Sequence, residues 1–340
     1  STGNQTYSGK NITLANNASS STTGSEAITS YGNILLSSDL TAATTITLTS
    51  KASAANTVSG TGVLTTGTAT GSGLKLIGNN TTYTLSNANG VSNLAAILSG
   101  SGSFTFKNAS ALTVGSVGGT SGISTSGVID VRTLSGDLNI IQNIATTDAS
   151  ASAILLAAGD NNLANTSSGG DVKIAAGAAL TMGTGGRGLI YTGSVANTTL
   201  NQQVAAGNFR YNSDTTHNGF TQSITPAATY AIYRDKPIIS ITASNLTKTY
   251  DGNAFVGGNG YTHSALVNGD SDNTIGTVAY SGTSQNVVNA SNTTYTITPS
   301  ISAANALGYG YAYTSGTLTV IPAHLTVSAD SLSKVYGEAN

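Results

Sequence analysis

The 340-residue chain lacks several residue types, and each absence narrows what the protein can be. Without cysteine it has neither a disulfide scaffold nor a thiolate metal site, and it also has no tryptophan. Charged residues make up only 8%, and the net charge of −2 gives no electrostatic basis for binding nucleic acid or an anionic membrane. No apolar run approaches about 18 residues, so we expect no membrane insertion.

Proline is also scarce, and none of the four prolines precedes Pro226. Over residues 1–191 a short phrase recurs instead: a glycine, often with Asn or Asp, and then two apolar residues separated by one. It occurs at Ile34–Leu36, Leu138–Ile140 and Val172–Ile174. Further examples are residues 12–14, 46–48, 74–76, 104–106 and 112–114. This alternation predicts short strands with one buried face, joined by turns.

Many short strands are compatible with a sandwich or a barrel, but three features favour a parallel β-solenoid. The strands are very short, the phrase continues unchanged, and proline is absent where every strand N–H is needed. We therefore predict a solenoid shaft over residues 1–186. With about 20 residues per coil it has roughly nine to ten coils and is about 45 Å long.

A change in composition near residue 187 predicts a cap that protects the open end of the solenoid. Aromatic residues become frequent there, and we expect several of them to cover the last coil: Tyr191, Phe209, Tyr211, Phe220, Tyr230 and Tyr233. Lys236 and Pro237 are interpreted as a hinge. The predicted cap and hinge therefore span residues 187–237.

Residues 238–322 are predicted to form one compact β-module. Its predicted strands are 238–243, 277–280, 295–300, 308–313 and 316–321, and residues 303–307 form a loop or a short helix. The stretch 239–253 recurs about 86 residues later, at 325–340. A long-period repeat is typical of tandem modules. We therefore interpret 323–340 as the first strand of a following module, and the chain as part of a longer protein.

These residues resemble known repeat modules. The sequence KTYDG at 248–252, with SGTLTV at 315–320, resembles the YDG-type repeat of large bacterial surface proteins. Residues 323–337 resemble the start of an MBG-type repeat. The shaft resembles filamentous-haemagglutinin-like adhesins of the two-partner secretion class through residues 121–127, 135–138 and 186–191, although Gly188 stands where that family has a bulky aromatic.

The resemblance implies a right-handed parallel β-helix followed by a small β-sandwich or β-grasp-like module. It implies a secreted Gram-negative surface adhesin, a rigid shaft or stalk for cell–cell, surface or biofilm-matrix attachment. An outer-membrane transporter would serve secretion, and extracellular polysaccharide or a host or neighbouring cell surface would be the partner. It implies no catalytic residues and no cofactor.

Two other functions stay open at this point. The chain could be a structural subunit of a head-to-tail extracellular filament, joined through an open coil or through residues 325–327. More weakly, it could be a carbohydrate-active β-helix enzyme. That would require carboxylates clustered in one groove. The carboxylates of the shaft are scattered, and at turns we expect them to bind their own backbone.

The sequence offers few candidate sites. Asp270 and Asp272 resemble a fragment of a calcium loop, but the required Gly and the bidentate Glu are missing, so a tight turn is favoured over calcium. Tyr309, Tyr311 and Tyr313 alternate and are predicted to share one face. They either pack over the module core or form a glycan-stacking platform. The three histidines lack metal-ligand spacing.

Overall fold

The structure of the protein is a computed structural model that describes residues 2–15, 20–225, 227–302 and 305–337. The regular secondary structure of the described part is made of strands and one short 3-10 helix, η1 (Asp272–Thr274), which confirms the predicted all-β class. The chain divides into two compact units. We call the first, residues 1–238, 266–275 and 304–310, the shaft unit, and the second, residues 239–265, 276–303 and 311–340, the module unit.

The strands follow one another along the whole chain and are numbered in chain order. The first thirteen are β1 (Gln5–Gly9), β2 (Ile12–Leu14), β3 (Ser20–Thr22), β4 (Glu26–Ser30), β5 (Ile34–Leu36), β6 (Leu40–Ala42), β7 (Thr45–Ser50), β8 (Asn56–Gly60), β9 (Leu64–Thr66), β10 (Gly73–Asn79), β11 (Thr81–Asn89), β12 (Asn93–Ser99) and β13 (Phe104–Asn108). The next thirteen are β14 (Leu112–Val114), β15 (Ser116–Val117), β16 (Thr120–Ser121), β17 (Ile123–Thr125), β18 (Ile129–Thr133), β19 (Leu138–Ile140), β20 (Ile144–Thr146), β21 (Ile154–Ala157), β22 (Val172–Ile174), β23 (Leu180–Thr181), β24 (Gly188–Thr192), β25 (Phe209–Arg210) and β26 (Thr229–Tyr233). The last seven are β27 (Ile238–Ala243), β28 (Leu246–Thr249), β29 (Tyr261–His263), β30 (Ala279–Ser281), β31 (Ser291–Ser300), β32 (Gly310–Thr314) and β33 (Gly316–Ile321).

Parallel pairing between successive coils makes the shaft unit a β-helix. An eleven-stranded sheet runs from β1 to β22, with a branch through β17, β20 and β23. A ten-stranded sheet runs from β2 to β25, and a three-stranded sheet joins β3, β6 and β9. Coil length varies: Glu26 pairs with Ile46, 20 residues on, whereas Leu138 pairs with Val172, 34 residues on. The parallel solenoid is thereby confirmed, with longer coils towards its C-terminal end.

The core of the shaft is built from columns of equivalent apolar residues. In the eleven-stranded sheet one column, paired coil by coil, contains Ile46, Leu74, Leu94, Val114, Ile140 and Ile174. Every member is at most 1% exposed. Complete burial of such a side chain contributes about 1.5–3 kcal/mol. The apolar triplets predicted from the sequence are therefore strands, and their alternate residues form the core.

Two buried asparagines link neighbouring coils at one corner of the shaft. Asn89 and Asn108 are paired in register and at most 1% exposed. The Asn89 side chain accepts a hydrogen bond from Leu64 N–H at 2.8 Å and donates to the Lys107 carbonyl at 2.9 Å. Asn108 accepts from and donates to the backbone of Val91, both at 2.9 Å. These amides satisfy backbone groups that the strands leave free at the corner.

The predicted boundary at residues 186/187 is wrong, because the solenoid continues past it. Strand β24 pairs in parallel with β21 and β26, and β25 pairs with the outer edge of β26. Beyond β25, Tyr211 N–H donates to the Leu307 carbonyl at 2.8 Å. The cap therefore consists of residues between β24 and β26 together with 266–275 and 304–310, which lie far away in the sequence.

Two small sheets share the core of the module unit. One has the order β29–β27–β32 and the other β28–β33–β31–β30. In the second, β28 and β33 are parallel, whereas the remaining pairs are antiparallel. Their common core contains Ala243, Phe255, Ile297, Leu318 and Val320. The arrangement is a small two-sheet packing, as predicted.

The strand predictions for the module are partly wrong. Strands β27 and β33 have the predicted bounds, but β28 and β29 were not predicted. The strand predicted at 325–327 does not form: the described residues 322–337 contain no strand, and Leu325, Val327 and Leu332 are more than 80% exposed. Ala303 and Ala304, predicted as part of a loop or short helix, lie outside the described residues; the described residues 305–307 are not helical.

Candidate functional site

The outer face of the ten-stranded sheet changes character along the shaft. One outward column runs Lys107, Arg132, Ala157, Tyr191 and Ile232, each paired with the next across neighbouring strands. The column is charged at β13 and β18 but apolar at β24 and β26. An apolar outer face must be covered, and the chain between β25 and β26 folds over it.

We call residues 213–224 the flap. Its Phe220 and Ile224 pack against an outward cluster of the sheet that contains Leu189, Tyr230 and Ile232. Just after it, Thr225 N–H donates to the Tyr230 hydroxyl at 3.2 Å. The flap is therefore held by apolar contacts and hydrogen bonds to the last coils.

A buried arginine fixes the flap from below. Arg210 of β25 is 1% exposed, and its guanidinium lies 5.6 Å from the ring centre of Phe220 and 5.4 Å from that of Tyr230. It donates hydrogen bonds to the carbonyls of Gly207 and Phe209, and longer ones to Gln222 and Ser223. A cation between two aromatic faces is favourable when desolvated. Burial nevertheless lowers the pKa of Arg210.

Asp214 shapes the start of the flap. Its carboxylate accepts hydrogen bonds from the N–H groups of Thr216 and His217, both at 2.7 Å, and from Ala164 N–H at 2.8 Å. Burial acts to raise the pKa of Asp214, but these bonds and one from the Thr216 hydroxyl outweigh it and lower the pKa. The carboxylate therefore fixes the turn at the start of the flap and also ties it to the segment that contains Ala164.

Between the flap and the sheet lies a cavity of about 410 Å³, which we call the cap pocket. Tyr191 and Ile232 of the sheet contribute to its wall, and flap residues 213–218 and 220–224 form the rest. The wall is rich in hydroxyl and amide groups, and Tyr191 and Phe220 are half-buried in it. The cap aromatics were predicted from the sequence, but the pocket was not, because it depends on the flap folding back over a distant part of the sheet.

The predicted calcium candidates are placed differently from a metal site. One carboxylate oxygen of Asp270 accepts hydrogen bonds from the hydroxyls of Tyr211 and Tyr309, both at 2.8 Å. Burial is the main cause of the raised pKa of both tyrosines. Asp272 begins η1. In the described ranges no three His, Asp or Glu side chains converge as metal ligands would.

The three alternating tyrosines have different environments. Tyr309 is buried in the shaft unit, and its ring centre lies 4.6 Å from that of Tyr211. Tyr311 and Tyr313 belong to the module unit and stack on each other, with ring centres 6.1 Å apart. Tyr313 is 42% exposed. Any glycan platform on this strand is therefore restricted to Tyr311 and Tyr313.

Most carboxylates of the shaft bind backbone N–H groups, but often on the neighbouring coil. Asp39 accepts from Val63 N–H and Asp137 from Asp171 N–H, both at 2.9 Å, whereas Asp148 accepts from Ser150 N–H, two residues on, at 2.8 Å. Asp130 lies in a strand and forms an ion pair with Arg132 at 2.8 Å; Asp160 binds the same guanidinium at 3.2 Å.

The three histidines lie in different places: His217 lines the cap pocket, His263 ends β29, and His324 is exposed.

Comparison of the chain with protein-family models, curated proteins and solved structures gave no match. In the described residues, no helix is long and apolar enough to cross a membrane.

Proposed function

We propose that the chain is a segment of a secreted bacterial surface adhesin and acts as a rigid shaft with a β-rich stalk module. The observation that carries the proposal is the ten-stranded parallel sheet, in which successive coils bind through a continuous backbone ladder. Pulling along such a ladder opposes many hydrogen bonds at once. A stiff spacer of this kind separates a binding element from the cell that carries it.

The outer wall of the shaft supports an extracellular location. It presents many uncharged hydroxyls and amides, such as Thr47, Thr105 and Asn139, with a few charged side chains among them. Weak contacts with polysaccharide, repeated from coil to coil, would add up through multivalency. The partners proposed are therefore extracellular polysaccharide and the surfaces of host or neighbouring cells, after export through an outer-membrane transporter.

The test uses the producing bacterium. Antibodies against the chain should label intact cells, and deletion of residues 1–340 should lower attachment to polysaccharide-coated surfaces several-fold. Labelling only after permeabilisation would refute the location, and unchanged attachment would refute the adhesive role. Concentration-dependent fibres of the purified chain would favour a filament subunit instead.

Deletion of one coil tests whether the shaft is a stack of equivalent coils. Removing residues 74–93 takes one strand from each long sheet, β10 and β11, and joins Gly73 to Leu94, which follows in register. The shortened chain should stay folded and lose one strand spacing of about 4.8 Å. A fragment ending at residue 235 is a poor alternative, because it would lose the cap segments 266–275 and 304–310.

A further inference from the structure

We propose that the cap pocket binds one ring of an uncharged glycan, a neutral hexopyranose. This goes beyond the adhesin proposal, because the pocket is a discrete site on the shaft unit whatever the whole protein does. The argument rests on the size of the pocket, its chemistry, its electrostatics and its rigidity.

The size of the cap pocket suits a small polar ligand. Its volume of about 410 Å³ lies in the usual range of roughly 300–1,000 Å³ for small-molecule sites. Tyr191 contributes to the wall of this pocket and is half-buried, so one sugar ring can lie against the open part of its side chain.

The chemistry of the wall matches a sugar ring. A pyranose has apolar C–H faces and a rim of hydroxyls, and an aromatic ring with polar neighbours complements both. Tyr191 and Phe220 supply aromatic surface. The exposed Asn218 and Gln222 supply amide groups that donate and accept hydrogen bonds, and the Thr216 hydroxyl, which donates to Asp214, can still accept one.

The charges around the pocket cancel. Those acting on Tyr191 are Arg132 and Arg187 on one side, and Asp160 and Asp214 on the other. Arg132 is already paired with Asp160 and Asp130, and the Asp214 carboxylate is occupied by the flap backbone. Arg187 donates hydrogen bonds to the carbonyls of Ala151 and Ile224. Because two positive and two negative groups act on Tyr191, the pocket favours neither sign of charge in a ligand, and an uncharged ligand fits best.

The flap is held in place without a ligand. The N–H groups of Thr221 and Gln222 donate to the Ala306 carbonyl at 3.1 and 3.0 Å, and Gly219 N–H donates to the Ser213 hydroxyl at 2.8 Å. Arg210 binds the flap from below. Because the flap is already ordered, binding loses little conformational entropy, and weak contacts with a sugar suffice.

The experiment is saturation-transfer NMR on the complete chain. The probes are glucose, galactose, mannose and N-acetylglucosamine, with glucuronate, glucosamine and uridine as competitors of other chemistry. We expect saturation transfer to at least one neutral sugar, with a Kd on the order of 1 mM. No transfer to any neutral sugar, or a stronger signal from glucuronate, glucosamine or uridine, would overturn the proposal.

Two variants locate the site. Ser223→Trp places a bulky ring at the exposed pocket rim without removing a buried group, and Tyr191→Ala removes the aromatic wall. Each should weaken binding at least fivefold, whereas Thr61→Trp, at an exposed loop position, should not. Because Tyr191→Ala could also disturb folding, Ser223→Trp decides: unchanged binding in a folded Ser223→Trp chain overturns the proposal. Surface labelling and cell attachment, which test the adhesin proposal, are measured without free sugar. Their outcome is therefore independent of whether the cap pocket binds a sugar.

Discussion

The shaft and module units bury their apolar side chains in different ways. In the shaft each core residue stacks on its equivalent from the next coil, as Leu94 does on Leu74. In the module the core brings together unlike positions, such as Ala243 and Leu318, from two different sheets. A repeated short phrase is enough to specify the first arrangement, whereas the second depends on which distant segments meet.

The largest effect is expected in the shaft. Phe106 is fully buried between its register partners Leu85 and Val131, and Phe106→Ala should destabilise the protein by about 3–5 kcal/mol through lost burial and a cavity. Hydrogen exchange should accelerate in β11, β13 and β18 and stay unchanged in β33. Thr105→Ala, on the outer face of the same strand, is the control. Equal loss of protection in both units would show that their cores are not separate.

The matching change in the module is Leu318→Ala. Leu318 is fully buried in the module core, so we expect a loss of about 2–4 kcal/mol. Here exchange should accelerate in β31 and β33 and stay slow in β13. Thr317→Ala, its neighbour on the opposite face, should change stability little. Denaturant titration followed by exchange separates these outcomes, and protection lost first in β13 would contradict the division.

A smaller effect is expected at the asparagine corner, which only the shaft has. Asn108→Ala removes four hydrogen bonds and leaves the buried backbone groups of Val91, and the part-buried carbonyls of Ser110 and Ala111, without that partner. The expected cost is about 2–3 kcal/mol. Asn139→Ala, on an outward position of β19, should cost much less. If the two variants unfold at the same denaturant concentration, the corner amides do not link the coils energetically.

The smallest effect concerns an ion pair between coils. Burial acts to raise the pKa of Asp137, but the Lys173 ammonium and Asp171 N–H outweigh it and lower the pKa. The folded-state pKa lies below the unfolded value of about 3.9. The stabilisation is therefore present above that value and is lost as the pH falls through the folded-state pKa. At pH 7 Asp137→Asn should cost at most about 1 kcal/mol, because the pair is part-exposed.

The pH dependence provides the check on this pair. Stability of the Asp137→Asn chain and of the parent chain should converge as the pH falls below about 3.9, provided that acid unfolding has not begun. Asp251→Asn is the comparison in the module, since Asp251 also has a lowered pKa but pairs with Lys248 only three residues away. A difference that grows in acid would contradict the assignment.

The sequence predicted the shaft because its signal is local. At Phe104 and Phe106 alternation alone indicates the buried face, and the parallel partner of the same type follows about 25 residues later at Ile129 and Val131. A cap was predicted from the aromatic residues after residue 187, but its segments 266–275 and 304–310 could not be predicted, since Tyr211 meets Leu307 and Asp270 across long stretches of chain. The position of Tyr309 could not be predicted for the same reason: it packs against Tyr211 in the shaft unit and not over the module core.

The 86-residue repeat also shows that local sequence alone does not determine whether a segment forms a strand. In the first copy Ile241 and Ala243 are buried, because β29 pairs with β27. The corresponding Val327 is 82% exposed, and its segment pairs with no strand in the part of the chain that the structure describes. Similar residues thus form a strand only where a neighbouring strand is present to pair with them.

The cap segments 266–275 and 304–310 have a consequence for how such a protein can be rearranged. The chain passes back and forth between the two units, leaving the shaft at residue 238 and re-entering it twice. The module is therefore not an interchangeable cassette. Recombination that replaced residues 239–322 as one block would also replace Asp270, Leu307 and Tyr309 of the cap, so any new module must supply a matching lid or leave the last coil open.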